Sequence, residues 1–304
     1  MMTEVTKMNY EEFVATLKEN IFDYLPDEYK TTEIAFEPVK KVNLQKDALI
    51  FKKGKVAPTI YTEPLYDQYM REDMDSVMRA VADMLIDGFH SASEIEQHLD
   101  ISRLRDSVVP VLINTSKNDC AGMPHREVQD LTVIYRWIME SHGDVMQSAR
   151  VTSDLARIAG LTEEDLYEVS QKNVKGNYVF ANLCELIGGL FEQEDRGLEE
   201  SGTEGRLPKD LYVLTNKSRM YGASALLDEE LLYKIGCKLG TDYYILPSSI
   251  HELIIVPIGL CVEYPEYLAS MVREINRSQV MPEEVLSDHV YKYELKSKSV
   301  SIVA

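Results

Sequence analysis

The clearest succession of apolar and polar runs lies between Asp210 and Pro257. Leu211–Leu214 is short and almost entirely apolar, which is typical of a strand covered on both faces. Ala223–Leu227 is a second run of this kind. Tyr243–Leu246 and Ile250–Val256 are rich in β-branched and aromatic residues, which favour strands. The pattern therefore predicts four strands in this stretch.

A helix is predicted between the second and third of these strands. Asp228 suits its N-cap, and Gly240 suits the residue after its last turn, where a left-handed conformation is common. Its apolar positions recur at helical spacing and would cover a sheet: Leu231, Leu232, Ile235 and Leu239. Pro247, Ser248 and Ser249 supply turn chemistry between the last two strands, which predicts a hairpin. The whole unit is predicted to be ββαββ and mainly antiparallel.

The same periodicities predict elements in the rest of the chain. Alternating or short apolar runs predict strands at Thr31–Pro38, Ala48–Phe51, Val56–Tyr61, Val108–Ile113, Leu131–Met139 and Tyr291–Leu295. Caps and apolar stripes predict helices that begin after Asn9, Asp73, Thr152 and Thr162, at Pro265 and at Pro282, with a separate helical stretch at Ala92–Leu99. For Tyr178–Phe191, strand and helix both stay open.

These elements predict an α+β fold, in which mixed or antiparallel sheets carry helices packed on one face. We expect an N-terminal lobe over residues 1–104 and a C-terminal lobe over residues 105–304. The acidic, glycine-bearing residues 192–209 are predicted to form a loop of the second lobe.

Several separated motifs occur in order along the chain: TEPLYDQY, DLYVLTNK, GASALLD and YYILPSSIHELIIVP. Through these motifs, the stretch from about Val39 to Pro257 resembles a family of uncharacterised bacterial proteins, catalogued as a domain of unknown function, from anaerobic gut bacteria and their mobile elements. The resemblance implies one shared fold and a cytoplasmic setting. It carries over no catalytic residue, because no activity is assigned to that family.

The composition is that of an ordinary globular chain. Of 304 residues, 45% are hydrophobic and 27% are charged, which suits a sizeable core rather than a disordered chain. No apolar run is long enough to span a membrane, and the start lacks the basic and apolar segments of a signal peptide. The cysteines lie far apart: Cys120, Cys184, Cys237 and Cys261. We therefore expect a reduced, cytoplasmic protein with free thiols.

The net charge is strongly negative. The chain has 32 basic and 51 acidic residues, which gives −19. Such a field repels the phosphates of nucleic acids, so direct nucleic-acid binding is disfavoured. It favours a basic partner protein, including one whose own groove is built for DNA or RNA. Solubility alone explains the same charge, and this simpler explanation is the commoner one.

The turn before Ile254 invites a hydrolase interpretation. Ser248 or Ser249 would be the nucleophile, His251 the base, and Glu252 the group that orients the base. The spacing argues against it, because adjacent residues on a strand point to opposite faces. We expect instead that a serine binds the local backbone and that no carboxylate is aligned behind His251. No catalytic residue is assigned.

A small-ligand site is the other hypothesis for these turns. The candidate residues would lie at one end of the same sheet: Asn216, Lys217, Ser248, Ser249, His251 and Glu252. An anionic group would be held by Lys217 and by backbone amides of the turns. Turn formation explains the same residues, so both interpretations stay open.

Metal and cofactor binding have no support in the sequence. The histidines show neither a paired short spacing nor an H-E-x-x-H motif: His90, His98, His125, His142, His251 and His289. No glycine-rich phosphate or dinucleotide motif is present. We expect no metal and no cofactor.

The function favoured by the sequence is that of a non-catalytic cytoplasmic interaction or regulatory protein with a strongly acidic surface. One version is an inhibitor of a nucleic-acid-handling enzyme. The alternative is a small-ligand-binding protein or a hydrolase that uses the turn Ser248–Glu252. The expected partner is a basic protein, with no direct nucleic-acid or membrane partner.

Overall fold

The computed structural model describes residues 7–52, 57–98, 100–142, 145–183, 211–247, 249–259 and 265–304. The chain divides into two units, Met1–Asp100 and Ile101–Ala304. The division falls four residues before the expected lobe boundary at 104/105. The described strands form a three-stranded, a four-stranded and a six-stranded sheet, all antiparallel, so the predicted α+β class is confirmed. In the described part of the chain, no helix combines the length and the hydrophobicity needed to cross a bilayer.

The N-terminal unit packs helices against a meander of three strands. Its elements are α1 (Tyr10–Asn20), β1 (Glu33–Lys40), β2 (Gln45–Lys52), β3 (Thr59–Tyr61), α2 (Thr62–Arg71) and α3 (Met74–His98). The capping box predicted at the start of α1 is present. The Glu12 amide donates to Asn9 Oδ1 over 2.9 Å, and the Asn9 amide donates to Glu12 Oε2 over 3.1 Å. Phe13 and Leu17 then point into the core.

Helix α3 is one continuous helix of 25 residues. The prediction of a separate helical stretch from Ala92 is therefore wrong. Leu85, Phe89 and Ala92 are all buried, at the spacing of one helix face. The apolar stripe that begins at Val77 thus continues without a break, and Gly88 does not end the helix.

The C-terminal unit holds the other two sheets. Its elements are α4 (Leu104–Ser107), β4 (Val108–Asn114), β5 (Arg126–Val128), β6 (Leu131–His142), β7 (Val145–Arg150), α5 (Ser153–Ile158), α6 (Glu163–Val174), β8 (Tyr178–Asn182), β9 (Tyr212–Asn216), α7 (Glu229–Leu239), β10 (Tyr243–Leu246), β11 (Leu253–Pro257), α8 (Pro265–Ser278), β12 (Tyr291–Glu294) and β13 (Ser299–Ile302). Strand β6 pairs with β4, β5 and β7. The larger sheet has the order β13-β12-β10-β11-β9-β8.

The predicted ββαββ unit is correct except for its second strand. Gly222–Leu227 forms a 3₁₀ helix, in which every residue up to Leu226 is buried. A short run that is buried on all sides carries no alternation, so its period cannot separate a strand from a tight helix. The helix, its Asp228 N-cap and the left-handed Gly240 are confirmed. The antiparallel pairing of β10 with β11 is confirmed as well.

The six-stranded sheet carries a helix on each face rather than on one. Tyr243 and Tyr244 are adjacent on β10 and therefore point to opposite sides. On the first side, the Tyr243 hydroxyl donates to the Leu232 carbonyl of α7 over 2.9 Å. On the second side, Tyr244 belongs to the buried cluster that contains Leu268 and Val272 of α8.

Three further expectations are corrected, resolved in part or fall outside the described residues. Pro282 opens a turn rather than a helix, and the last strand of the chain, β13, was not predicted. Tyr178–Asn182 is a strand, which resolves the first part of the ambiguous stretch. The predicted acidic loop, residues 192–209, lies outside the described residues.

Candidate functional site

The segment between β10 and β11 holds His251 in a defined orientation. Its backbone amide donates to Ser249 Oγ over 3.0 Å. Its ring Nδ1 accepts the backbone N–H of Tyr221 over 3.2 Å, and its Nε2 lies 3.5 Å from Glu284 Oε1. Because Nδ1 is an acceptor, the ring proton of the neutral imidazole is on Nε2, facing Glu284.

These contacts argue against a serine hydrolase. Ser249 is buried and its hydroxyl accepts a backbone N–H, as the hairpin interpretation predicts. Among the described residues, no serine hydroxyl contacts either ring nitrogen of His251. Ser248 lies outside the described residues. The constellation therefore lacks an activated nucleophile within the description.

The expectation that no carboxylate would face His251 is wrong. The carboxylate belongs to Glu284, which the fold brings in from the turn after α8. The Ile250 amide donates to the Glu284 carbonyl over 2.8 Å, and Ser249 forms an isolated bridge with Val285. The neighbouring Glu252 has a different environment, in which burial raises the pKa of its carboxyl group and His251 opposes that rise.

Asn216 organises the tight turn after β9. Its Nδ2 donates to the Met220 carbonyl over 2.7 Å, and its Oδ1 accepts the Met220 amide over 3.2 Å and the Ser218 hydroxyl over 2.9 Å. The turn needs left-handed backbone at two non-glycine residues, Arg219 and Tyr221, with φ of 54° and 60°. This conformation directs the Tyr221 amide towards His251, and the two rings stack with centroids 5.7 Å apart.

A cavity of about 360 Å³ opens beside this turn. Asn216 and Lys217 line it, together with Asp106, Ser107, Val109, Pro110, Ile138, Asn173, Val174, Asn177, Ser218, Met220, Tyr221 and Ser224. Ser249, His251 and Glu252 are not among the lining residues. The structure thus brings two of the predicted site residues to the cavity, and the cavity residue Tyr221 contacts His251.

The polar side chains of the cavity wall differ in whether they already have hydrogen-bond or ion-pair partners. Asn173 Nδ2 donates to the carbonyls of Arg105 and Val108, over 3.0 and 2.9 Å, so its amide is already used. Lys217 and Asp106 are exposed, and within the described part of the chain neither side chain has a hydrogen bond or an ion pair. One cation and one anion are therefore available to a ligand.

Sequence reasoning missed the wall contributed by α4 and α6. Asp106, Asn173 and Asn177 lie far along the chain from the Asn216 turn, and only the tertiary fold brings them to it. The one local signal is the polar composition of the segment after Val174, where α6 ends.

A second polar cluster was also missed. Asp130 accepts hydrogen bonds from Ser287 Oγ over 2.7 Å, from His289 Nδ1 over 2.8 Å, and from the Tyr291 hydroxyl. Burial works to raise the pKa of Asp130, but these hydrogen bonds together outweigh it and lower the pKa. The serine bonds to the aspartate rather than to the imidazole. The cluster therefore joins two sheets and does not form a triad.

The described residues contain no group of three or more His, Cys, Asp or Glu side chains placed to hold a metal ion.

The fold and the cavity define an α+β protein with a space of small-molecule size and with no serine triad among the described residues. The family model described as "Family of unknown function (DUF5688)" matches residues 10–295, so the chain belongs to this family. Comparison of this chain with curated proteins and with solved structures found no match.

Proposed function

We propose that this chain is a non-catalytic cytoplasmic binding protein whose C-terminal unit holds a small polar ligand in the cavity beside the Asn216 turn. The observation that carries the proposal is the combination of a half-open cavity with two ionic side chains that lack partners among the described residues, Lys217 and Asp106. The cavity of about 360 Å³ falls within the range of roughly 300–1,000 Å³ common for ligand pockets.

The lining indicates which ligand chemistry fits. Lys217 can neutralise an anionic group, and Asp106 can accept hydrogen bonds from a cationic or N–H-bearing group of the same molecule. Val109, Pro110 and Ile138 supply apolar surface on the same wall. A small zwitterion, such as an amino acid, complements all three features.

The experiment is a calorimetric and thermal-melt titration with the common amino acids and short dicarboxylic acids. We expect at least one to bind saturably and to raise the melting temperature. Lys217→Gln should lose this effect because the counter-charge is removed. Lys172→Gln is the matched control, since Lys172 is an exposed lysine of α6 that does not line the cavity. Equal binding by both variants would place the ligand elsewhere.

The hydrolase alternative has its own test. A fluorophosphonate probe should leave the protein unlabelled, because Ser249 Oγ is already engaged by a backbone N–H. Stoichiometric labelling at Ser248 or Ser249, lost in His251→Ala, would show that the protein is an enzyme and would overturn the binding proposal.

A second candidate function is an interaction or regulatory protein that binds a basic partner, with inhibition of a nucleic-acid-handling enzyme as one version. The net charge of −19 supports it. An open groove of about 810 Å³ in the N-terminal unit supports it too. Asp23 and Asp83 line the groove and, in the described part of the chain, their side chains form no hydrogen bond or ion pair, whereas Asp75 pairs with Arg79 over 2.8 Å.

The corresponding test is binding of a lysine- and arginine-rich peptide as a function of salt. We expect the affinity to fall steeply as ionic strength rises, because exposed charges are screened. Asp23→Asn combined with Asp83→Asn should weaken binding more than Asp67→Asn, an exposed change outside the groove. Retention of DNA or RNA by the purified protein would contradict the basic-partner proposal.

A further inference from the structure

Two arginines stand directly opposite each other in the four-stranded sheet. Arg136 of β6 and Arg150 of β7 are register partners in an antiparallel pair. Side chains in such positions share one face, with Cβ atoms roughly 4.5–5.5 Å apart, and like charges there are destabilising. The chain has 51 acidic residues available as counter-charges, so an arginine pair at this position requires an explanation.

Among the described residues, no acidic side chain pairs with either arginine. Arg136 donates from Nε and Nη2 to Ser148 Oγ over 3.1 and 2.9 Å, and from Nη2 to the Ser148 carbonyl over 3.2 Å. Its guanidinium lies 5.5 Å from the Tyr221 ring centroid. Within the described residues, Arg150 has no side-chain hydrogen bond and no ion pair.

Among the described residues, no carboxylate contributes to the shift in the pKa of Arg150. Burial lowers the pKa of Arg150, and the Arg136 charge lowers it further, while Cys120 and Tyr221 oppose both. Both arginines are half-buried rather than sealed. Their N–H donors are therefore partly desolvated, and this desolvation strengthens an ionic hydrogen bond to a ligand. The donors remain accessible from solvent, so a ligand can reach them.

We propose that Arg136 and Arg150 form an anion site that binds the phosphate group of a small phosphomonoester. A phosphomonoester carries close to two negative charges at neutral pH, which matches two guanidinium groups. Its oxygens can accept N–H donors from the Arg150 guanidinium and from Nη1 of Arg136, since Nε and Nη2 of Arg136 are engaged by Ser148. A monocarboxylate or a phosphodiester carries one negative charge and would neutralise only one of the two guanidinium groups. Polymeric phosphates are disfavoured by the net charge of −19.

This site adjoins the proposed ligand cavity at Tyr221, which lines the cavity and whose ring centroid lies 5.5 Å from the Arg136 guanidinium. The two sites use different charged residues, because neither arginine lines the cavity and, among the described residues, Lys217 has no hydrogen bond to either of them. Lys217→Gln should therefore leave phosphate binding intact. Failure of the amino-acid screen would leave the arginine site untouched, and failure of the phosphate test would leave the cavity untouched.

The experiment compares methyl phosphate with dimethyl phosphate by calorimetry at about pH 7.5, where the monoester, with a second pKa of about 6, is mostly dianionic. We expect saturable binding of the monoester and a markedly weaker response to the diester. Arg150→Gln should weaken binding by roughly tenfold or more, since it removes charge-assisted hydrogen bonds. Arg136→Gln tests the same site from the other strand.

The control is Arg157→Gln, which makes the same charge change at an exposed arginine paired with Asp154. It should bind methyl phosphate like the unmodified protein. A second readout does not depend on affinity: in phosphate-free buffer, Arg150→Gln should raise the melting temperature, because repulsion within the pair is relieved. Absence of saturable binding, equal loss in Arg157→Gln, or a lowered melting temperature in Arg150→Gln would each overturn the proposal.

Discussion

Gly222→Ala should be among the most damaging single changes in the C-terminal unit. An ideal Cβ at Gly222 would lie 2.4 Å from the His251 carbonyl, 2.4 Å from Thr215 Oγ1 and 2.8 Å from the Asn216 amide nitrogen. Two of these three atoms are backbone and cannot move aside as a side-chain tip can. The Thr215 hydroxyl also donates to the His251 carbonyl over 2.8 Å, so the methyl group would disrupt that bond as well.

The expected loss of stability follows from the steric overlap and from the disrupted hydrogen bond. Overpacking of a filled interior costs about 1–3 kcal/mol, and loss of one intramolecular hydrogen bond adds about 1 kcal/mol. We therefore expect Gly222→Ala to lower the free energy of unfolding by about 2–4 kcal/mol, measured by urea denaturation followed by circular dichroism. The shift should appear in the transition midpoint.

Gly176→Ala is the matched control. Gly176 has a φ of +78°, and a Cβ there would meet nothing within 4 Å. Its substitution costs only the conformational penalty, about 1–2 kcal/mol. Gly222 has no such positive φ, so its cost comes from the close contacts and the hydrogen bond that they disrupt, not from backbone strain. If Gly222→Ala proved no more destabilising than Gly176→Ala, the packing described around the Asn216 turn would be refuted.

Three further predictions concern the C-terminal unit. Leu232→Ala should cost about 2–5 kcal/mol in a denaturant melt, whereas Tyr233→Ala, at a partly exposed position of the same helix, should cost under about 1 kcal/mol. The pKa of Asp130 is lowered in the folded state, so ionised Asp130 stabilises the fold above about pH 4, and this contribution is lost as the pH falls through the pKa of the folded protein. Asp130→Asn should therefore reduce the loss of stability on acidification. Burial raises the pKa of Tyr178 to about 12, so stability should fall as the pH rises from about 10 to about 12, and a Tyr178→Phe variant that declined as steeply would contradict this.

Local signals were sufficient for part of the fold. Helix α7 could be predicted because Asp228, an apolar stripe and Gly240 specify its start, its buried face and its end. The stretch Ala223–Leu227 could not, because burial on every side removes the period that distinguishes a strand from a helix. Helix α3 was predicted as two helical stretches, one after Asp73 and one from Ala92, whereas the buried residues Leu85, Phe89 and Ala92 form one continuous face.

The candidate sites depended more strongly on tertiary structure. Asn216 and Lys217 were accessible to prediction because turn chemistry marks them locally. Asp106 lines the same cavity from α4, and no residue spacing in the sequence predicts that position. The opposition of Arg136 and Arg150 depends on the register of β6 against β7, and a shift of one residue would have placed them on different faces.

The Asp130 cluster has a consequence for how the C-terminal unit opens. Asp130 lies in the turn before β6, and its hydrogen-bond donors Ser287, His289 and Tyr291 lie at the entry to β12, so one carboxylate joins the four-stranded and six-stranded sheets. Asn114 Nδ2 adds a further hydrogen bond across the same boundary, to the Leu286 carbonyl over 3.0 Å. Neither sheet can open without breaking these bonds. Backbone amides of β6 and β12 should therefore exchange with deuterium as one cooperative unit, at a common rate set by the opening of both sheets together.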